Sequence, residues 1–228
     1  MRGILYGIGV GPGDPELLTL KAIRAIRECG VIAAPDLGAE RRKAFDIAKE
    51  YLANKPVLSL ELPMTHDPKA LERERGKAAD LICAKLDEGE SVGFLTLGDP
   101  TIYSTYTYLH KLVVARGYTA HIIPGITSFC AAAAALGEPL CEGGEPLHII
   151  PALYGGLDNA LSLIGTKVLM KSGKKLADTV ELIKERKLPA SMAERVGMQD
   201  ERLIHDLNAS ETDAGYLCVI IVKDQADQ

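Results

Sequence analysis

The 228-residue chain carries 26 Lys and Arg against 31 Asp and Glu, giving a net charge of −5 and a pI near 5.6. That balance argues against a nucleic-acid-binding surface, so an anionic ligand would need a local basic patch. The 47% hydrophobic and 25% charged fractions are those of an ordinary soluble globular protein; no run nears the ~20 apolar residues of a membrane span, and the start lacks a signal-peptide profile, so cytoplasmic residence is expected.

Strand and helix patterns alternate from the N-terminus. Ile4–Val10 reads as a glycine-punctuated strand, followed by a helix over Pro15–Cys29 with Leu20, Ile23 and Ile26 at helical spacing. Val31–Ala34 is a short buried strand. A helix at Arg41–Ala53 and a strand at Val57–Leu60 come next, then a long charged helix over Pro68–Glu88 closed by Gly89. Ser91–Leu97 is an apolar strand, Thr101–Arg116 its helix, and Tyr118–Ile123 a further strand. This alternation implies a mainly parallel sheet.

Pro124-Gly125-Ile126-Thr127-Ser128 opens a small-residue helix, Phe129–Leu136, containing five consecutive alanines. Beyond the Gly-, Pro- and Glu-rich stretch 137–146 the pattern changes. Leu147–Ile150, Lys167–Lys171, Ala190–Arg195, Arg202–Asp206 and Tyr216–Val222 read as short strands, with one clear helix at Lys174–Lys187. The last three strands follow without intervening helices, which implies an antiparallel or mixed sheet. The expected fold class is therefore α/β with two domains. An N-terminal α/β domain would span residues 1–117, a connecting strand, helix and linker 118–146, and a C-terminal α/β domain 147–228, with a ligand cleft between the two domains.

Five scattered cysteines form no Cys-x-x-Cys, and four of them lie in or beside apolar segments, so buried reduced thiols are expected. No pair of the five histidines falls at metal-ligand spacing, so no protein-ligated metal is expected.

Three loops hold the chemistry. Gly7-Ile-Gly-Val-Gly-Pro-Gly-Asp-Pro15 packs four glycines and two prolines into nine residues. It fails the G-x-G-x-x-G test, because Pro12 or Asp14 stands where the last glycine should be, and an acid after the loop sits badly with a pyrophosphate. Asp14 instead fits an N-cap with Pro15 at the first helical position. Leu97-Gly98-Asp99-Pro100 places a glycine and an acid beyond a strand's carboxyl end, where open α/β sheets bind ligands. Asp99 fits either a helix cap or a contact to a cationic or hydroxyl-bearing ligand. Tyr103, Tyr106 and His110 share one face if the helix starts at Thr101, and both tyrosines fit core or ligand wall. Thr127 and Ser128 place hydroxyls and free N–H groups at a helix start, suited to a carboxylate. Met170 ends a strand of the second half. Arg41-Arg42-Lys43 and Lys171 with Lys174-Lys175 are the dense basic clusters, each a solvated face or a binding patch.

Taken together, Tyr6–Lys21, Leu97-Gly-Asp-Pro-Thr-Ile-Tyr103 and Pro124-Gly-Ile-Thr-Ser-Phe129 closely resemble, in order and spacing, the tetrapyrrole (corrin/porphyrin) methylases over nearly the whole chain. The segment Thr96-Leu-Gly-Asp-Pro-Thr-Ile-Tyr-Ser-Thr-Tyr106 looks most like the branch that methylates C20 of precorrin-2 or its cobalt complex. The resemblance implies S-adenosylmethionine as methyl donor, bound between two α/β domains of a homodimer. It implies cofactor contacts at Pro12, Leu97, Gly98, Asp99, Ile102, Tyr103, Thr127, Ser128 and Met170, and further ones at Ala193, Tyr216 and Leu217. Asp99, Tyr103 or Tyr106 would assist any proton transfer. Arg41, Arg42 and Lys43 would meet the carboxylates of the anionic tetrapyrrole, with or without chelated cobalt. The chemistry would then be positioning for an in-line displacement, which needs few acids and bases.

Overall fold

In the computed structural model the glycine-punctuated start of the chain is strand β1 (Leu5–Gly9). Residues 2–35, 43–63, 65, 67–210 and 217–224 are described. The chain divides into two compact units, Met1–Thr127 and Ser128–Gln228.

The first unit holds β1, α1 (Leu20–Glu28), β2 (Val31–Pro35), α2 (Lys43–Leu52), β3 (Val57–Leu60), α3 (Pro68–Asp87), β4 (Val92–Thr96), α4 (Tyr106–Ala115) and β5 (Ala120–Ile123). All five strands are parallel, in the order β3-β2-β4-β1-β5. Period-2 alternation sends each strand to two cores. Leu5 of β1 and Val92 and Phe94 of β4 pack with Ala78, Ile82, Leu109 and Val113 of α3 and α4. Ile8 and Leu95 pack on the opposite face with Ala22, Ile26, Ile47 and Ala48 of α1 and α2.

Two helix starts differ from the sequence expectation. Asp14 does cap, its side chain accepting from Glu16 N, but it caps a 3₁₀ turn over Pro15–Leu17. The α-helix restarts at Leu20, capped by Thr19 Oγ1 from Ala22 N at 3.1 Å. Its buried face is Ala22, Ala25 and Ile26, and Leu20 is 83% exposed. The helix expected from Thr101 begins at Tyr106, so Tyr103 and Tyr106 do not share a helical face.

The second unit holds α5 (Ser128–Leu136), β6 (Leu147–Pro151), α6 (Leu157–Leu161), β7 (Thr166–Met170), α7 (Leu176–Glu185), β8 (Ala190–Glu194), β9 (Arg202–Ile204) and β10 (Cys218–Val222). Its mixed sheet runs β6-β7-β10-β8-β9, with β6 parallel to β7 and the other pairs antiparallel. Leu169, Met192, Cys218 and Ile220 face α7, whose Leu176, Val180 and Ile183 complete that core. Helix α6 was not expected, because five residues are too few to display a period.

Among the described residues one lysine is fully enclosed. Lys167, 1% exposed in β7, donates to Asp224 Oδ1 at 2.5 Å and to the Leu163 carbonyl at 3.2 Å. Asp224 Oδ2 also accepts from Gly165 N at 2.6 Å, so the second residue after β10 neutralises a charge buried in the sheet.

Candidate functional site

Strand order places the site in the first unit. β1 and β4 are neighbours, yet β1 leads through α1 towards β2 and β4 leads through α4 towards β5. Those two helices cover opposite faces. Adjacent strands that send their chains in opposite directions leave a crevice beyond their carboxyl ends, the usual ligand position in such sheets.

The three sequence loops meet at that point. The β1 and β4 loops are bridged by Gly98 N to Gly11 O (2.7 Å) and Gly11 N to Gly98 O (3.3 Å). The β5 loop closes the group. A Cβ added at Gly125 would lie 2.3 Å from Gly98 O, and one at Gly9 would lie 2.6 Å from Gly125 N. Any side chain at Gly9 or Gly125 would therefore push the loops apart.

Asp99, 8% exposed, ties two of these loops together. Its Oδ1 accepts from Thr101 N (2.7 Å) and Thr101 Oγ1 (2.5 Å), and its Oδ2 accepts from Gly125 N (2.9 Å). By capturing the Thr101 N–H in an Asx turn, Asp99 delays the helix. Ser104 Oγ then accepts from Tyr106 N at 3.1 Å at the helix start, where the N-cap Thr105 makes no side-chain cap bond. Between them Tyr103 adopts φ +49° and is 43% exposed. Tyr106 has the opposite fate. It is fully buried, its hydroxyl donates to His121 O at 2.8 Å, and His110 Nδ1 lies 3.1 Å away. With the hydroxyl proton on His121 O, the Nδ1–H tautomer of His110 completes the contact. The ring fills the space over Gly7, where a Cβ would come within 2.1 Å of it. Burial pushes the hydroxyl above the ordinary tyrosine range.

Of the other candidates in this unit, Pro12 and Gly98 are buried, and Leu97 and Ile102 are half-buried. Thr127 is half-buried, but its Oγ1 is enclosed with no hydrogen-bond partner among the described residues. A buried hydroxyl without a partner is costly. Lys43 begins α2, whereas Arg41 and Arg42 lie outside the described residues. Among the described residues no group of three His, Cys, Asp or Glu could hold a metal ion, and no helix is long and apolar enough to cross a membrane. The cysteines divide differently from expectation: Cys29, Cys83 and Cys218 are buried, but Cys130 and Cys141 are exposed because they occupy an outer helix face and a loop.

In the second unit, Ser128 starts α5. Met170 and Ala193 both pair with Val219, so they flank one position of β10 on the same sheet face. Leu217 immediately precedes β10, and Tyr216 lies outside the described residues. The ends of β7 and β8 and the start of β10 thus share an edge, and backbone strain gathers there. Lys171 (φ +54°), Arg195 (φ +49°) and Leu217 (φ +73°) are all left-handed, with Arg195 N donating to Leu217 O at 2.9 Å. Nothing in the sequence announces this, since Lys, Arg and Leu have no preference for that region.

Residues 4–210 match the family model described as Tetrapyrrole (Corrin/Porphyrin) Methylases. The chain is similar to the "Probable cobalt-precorrin-2 C(20)-methyltransferase" of Methanocaldococcus jannaschii, at 34% identity over 96% of this chain and 95% of that protein. It is 31% identical to the "Cobalt-precorrin-2 C(20)-methyltransferase" of Salmonella typhimurium, over 99% of this chain and 98% of that protein. Its fold is also that of the uroporphyrin-III C-methyl transferase from Thermus thermophilus solved with S-adenyl homocysteine, with a TM-score of 0.69 and 22% identity over 97% of each chain.

Proposed function

The chain belongs to the Tetrapyrrole (Corrin/Porphyrin) Methylases, and from that membership we propose that it methylates C20 of cobalt-precorrin-2 or precorrin-2, using S-adenosylmethionine, in cobalamin biosynthesis. The names borne by two relatives above 30% identity over nearly the full chain support the C20 position and the tetrapyrrole substrate. The observation that carries the donor assignment is the meeting of three glycine loops around Asp99, together with the Thr127 hydroxyl, which has no hydrogen-bond partner among the described residues.

These residues suit a compact zwitterionic cation better than a dinucleotide. The loop carries an acid, and the glycine N–H groups at Gly11, Gly98 and Gly125 are already engaged in loop–loop bonds, which disfavours their use on a phosphate. When bound, S-adenosylmethionine supplies an electrophilic methyl group on a sulfonium. Pro12, Leu97, Gly98 and Ile102 would hold it by backbone and apolar contact, and the Thr127 hydroxyl would gain its missing partner. Asp99 acts by fixing the loops, since both its oxygens are already engaged. Tyr103, exposed on a strained turn, is the residue we assign to guard the acceptor side and to assist loss of the ring proton. Tyr106 belongs to the core. We further propose that Arg41, Arg42 and Lys43 meet acceptor carboxylates, that Ser128, Met170, Ala193, Tyr216 and Leu217 contact the donor, and that the enzyme works as a cytoplasmic homodimer.

Calorimetric titration with S-adenosylhomocysteine should give saturable one-site binding, and flat heats would remove the donor assignment. Turnover with precorrin-2 and with its cobalt complex, side by side, should yield a product methylated at C20 by NMR. Methylation at another carbon would overturn the regiochemistry while keeping the family.

A further inference from the structure

Among the described residues of the first unit, two non-glycine residues have positive φ, Ala53 (+48°) and Tyr103 (+49°). Ala53 directly follows α2, and a left-handed residue is ordinary at the end of a helix. Tyr103 stands ahead of a helix, α4, where that pattern does not apply. A bulky residue in this region persists only where the neighbouring structure imposes it.

The chain is tied down on both sides of Tyr103. Upstream, Asp99 Oδ1 accepts from Thr101 N at 2.7 Å, and Asp99 O accepts from Ile102 N at 3.2 Å. Downstream, Ser104 is held through two of its atoms. Its Oγ accepts from Tyr106 N at 3.1 Å and lies 3.4 Å from Thr96 Oγ1, at the end of β4. Its carbonyl accepts from Thr107 Oγ1 at 2.5 Å. One contact thus reaches back to the strand and two reach forward to the helix. Ser104 is half-buried, whereas Tyr103 beside it is 43% exposed. The serine is the fixed point, and the ring next to it stands where that point sets it.

We propose that Ser104 is a positioning residue. By tying the chain to β4 and α4 immediately after Tyr103, it fixes the tyrosine in the place from which it guards the acceptor and assists loss of the ring proton. The proposal rests on the duty given to Tyr103 under the methylase reading above, and it adds a residue to which the resemblance gave no role. The donor loops are joined without Ser104, through Asp99 Oδ2 to Gly125 N and through the paired Gly11 and Gly98. Ser104 therefore governs the chemical step rather than donor binding, because a reacting group that is present but misplaced costs rate.

Ser104→Ala deletes the Oγ contacts to Thr96 and to Tyr106 N. With kcat counted per site titrated by S-adenosylhomocysteine, the rate should fall about fivefold, what one ordinary hydrogen bond contributes. Kd for S-adenosylhomocysteine and KM for the tetrapyrrole should stay within about twofold of native. Ser104→Thr keeps the oxygen and should recover most of the rate. The decisive measurement uses a Tyr103→Ala background, where Ser104→Ala should cost less than about twofold in kcat, since no ring is left to place. Thr107→Val removes the bond to the Ser104 carbonyl and should give the same pattern; it carries the test alone if Ser104→Ala does not fold. Equal losses in the native and Tyr103→Ala backgrounds would overturn the proposal. So would a native kcat in both Ser104→Ala and Thr107→Val, or a Kd weakened as much as kcat. In each of those cases methylation by the native protein leaves the methylase reading standing. If Tyr103→Ala itself keeps the native kcat, the duty given to Tyr103 falls and this proposal falls with it. If the native protein neither binds S-adenosylhomocysteine nor methylates the tetrapyrrole, the methylase reading fails and takes the assignment with it.

Discussion

Replacing Asp99 by alanine removes three hydrogen bonds at once, and their surroundings decide what each loss costs. Thr101 is exposed, so its N–H and hydroxyl find water, and the two bonds at 2.7 and 2.5 Å cost little more than a weak net term each. The Gly125 N–H is wedged against Gly9 and Gly98 and would keep its full desolvation penalty. The sum is about 3 kcal/mol, near the upper range for one orphaned buried donor plus two solvated ones. For a chain of this size that corresponds to a fall of roughly 6–12 °C in the unfolding midpoint of the first unit. Asparagine is the sharper probe. Thr101 and Gly125 present N–H donors to opposite oxygens, so one of them must meet the amide NH₂, and Asp99→Asn should lose most of what Asp99→Ala loses. Both should weaken S-adenosylhomocysteine about tenfold through misplaced loops. Differential scanning calorimetry paired with ligand titration reads both effects. A midpoint within 1 °C of the native protein for either variant, by the ~3 kcal/mol expectation, would show that Asp99 does not hold the loops.

Tyr106→Phe deletes the hydroxyl that donates to His121 O and should cost about 1–2 kcal/mol of stability with kcat unchanged; a large fall in kcat at unaltered stability would restore Tyr106 to the chemistry. Asp224→Asn should destabilise by about 1–2 kcal/mol, less than for a fully enclosed pair because Asp224 is 45% exposed. The Lys167 ammonium, helped by Gly165 N–H, holds the Asp224 carboxyl below its ordinary value. Its contribution is therefore complete above the unfolded value of about 3.9 and is lost as the pH falls through the lower folded one, so the variant's stability should vary less than the native protein's below pH 4 in urea titrations. Thiol labelling of the native protein should show two fast groups, Cys130 and Cys141, and three slow ones. Burial lifts the Cys29 thiol to about 12 and the Cys218 thiol to about 11, so both should stay slow at pH 8, and fast reaction at either would contradict the packing.

The first sheet was legible because its strands are continuous apolar runs closed by glycine or proline; β4 and β3 lie within a residue of expectation. The start of α4 was not. Pro100-Thr101 has the chemistry of a helix opening, but the Asp99 carboxylate captures the Thr101 N–H first, and the Ser104 hydroxyl, four residues after Pro100, accepts from the N–H of the first helical residue, Tyr106. The three loop motifs could be read as loops, yet their meeting depends on β1 lying between β4 and β5, a long-range pairing that no local pattern encodes. The strain at Lys171, Arg195 and Leu217 is likewise a product of how the ends of β7 and β8 meet the start of β10.

The strand order of the second sheet has a consequence for synthesis. Its last strand in sequence, β10, is the middle one in space and separates β7 from β8. The first sheet has all five strands once Ile123 has left the ribosome, but the second lacks its centre until Val222 has followed. At ~5–20 residues per second, the intervening stretch takes roughly 5–20 s, during which β7 and the β8–β9 hairpin present open edges to one another and to other chains. Chains arrested late in translation should therefore carry a protease-resistant first unit and a second unit still open to attack, a vulnerability that ends with the arrival of a single strand and the carboxylate just behind it.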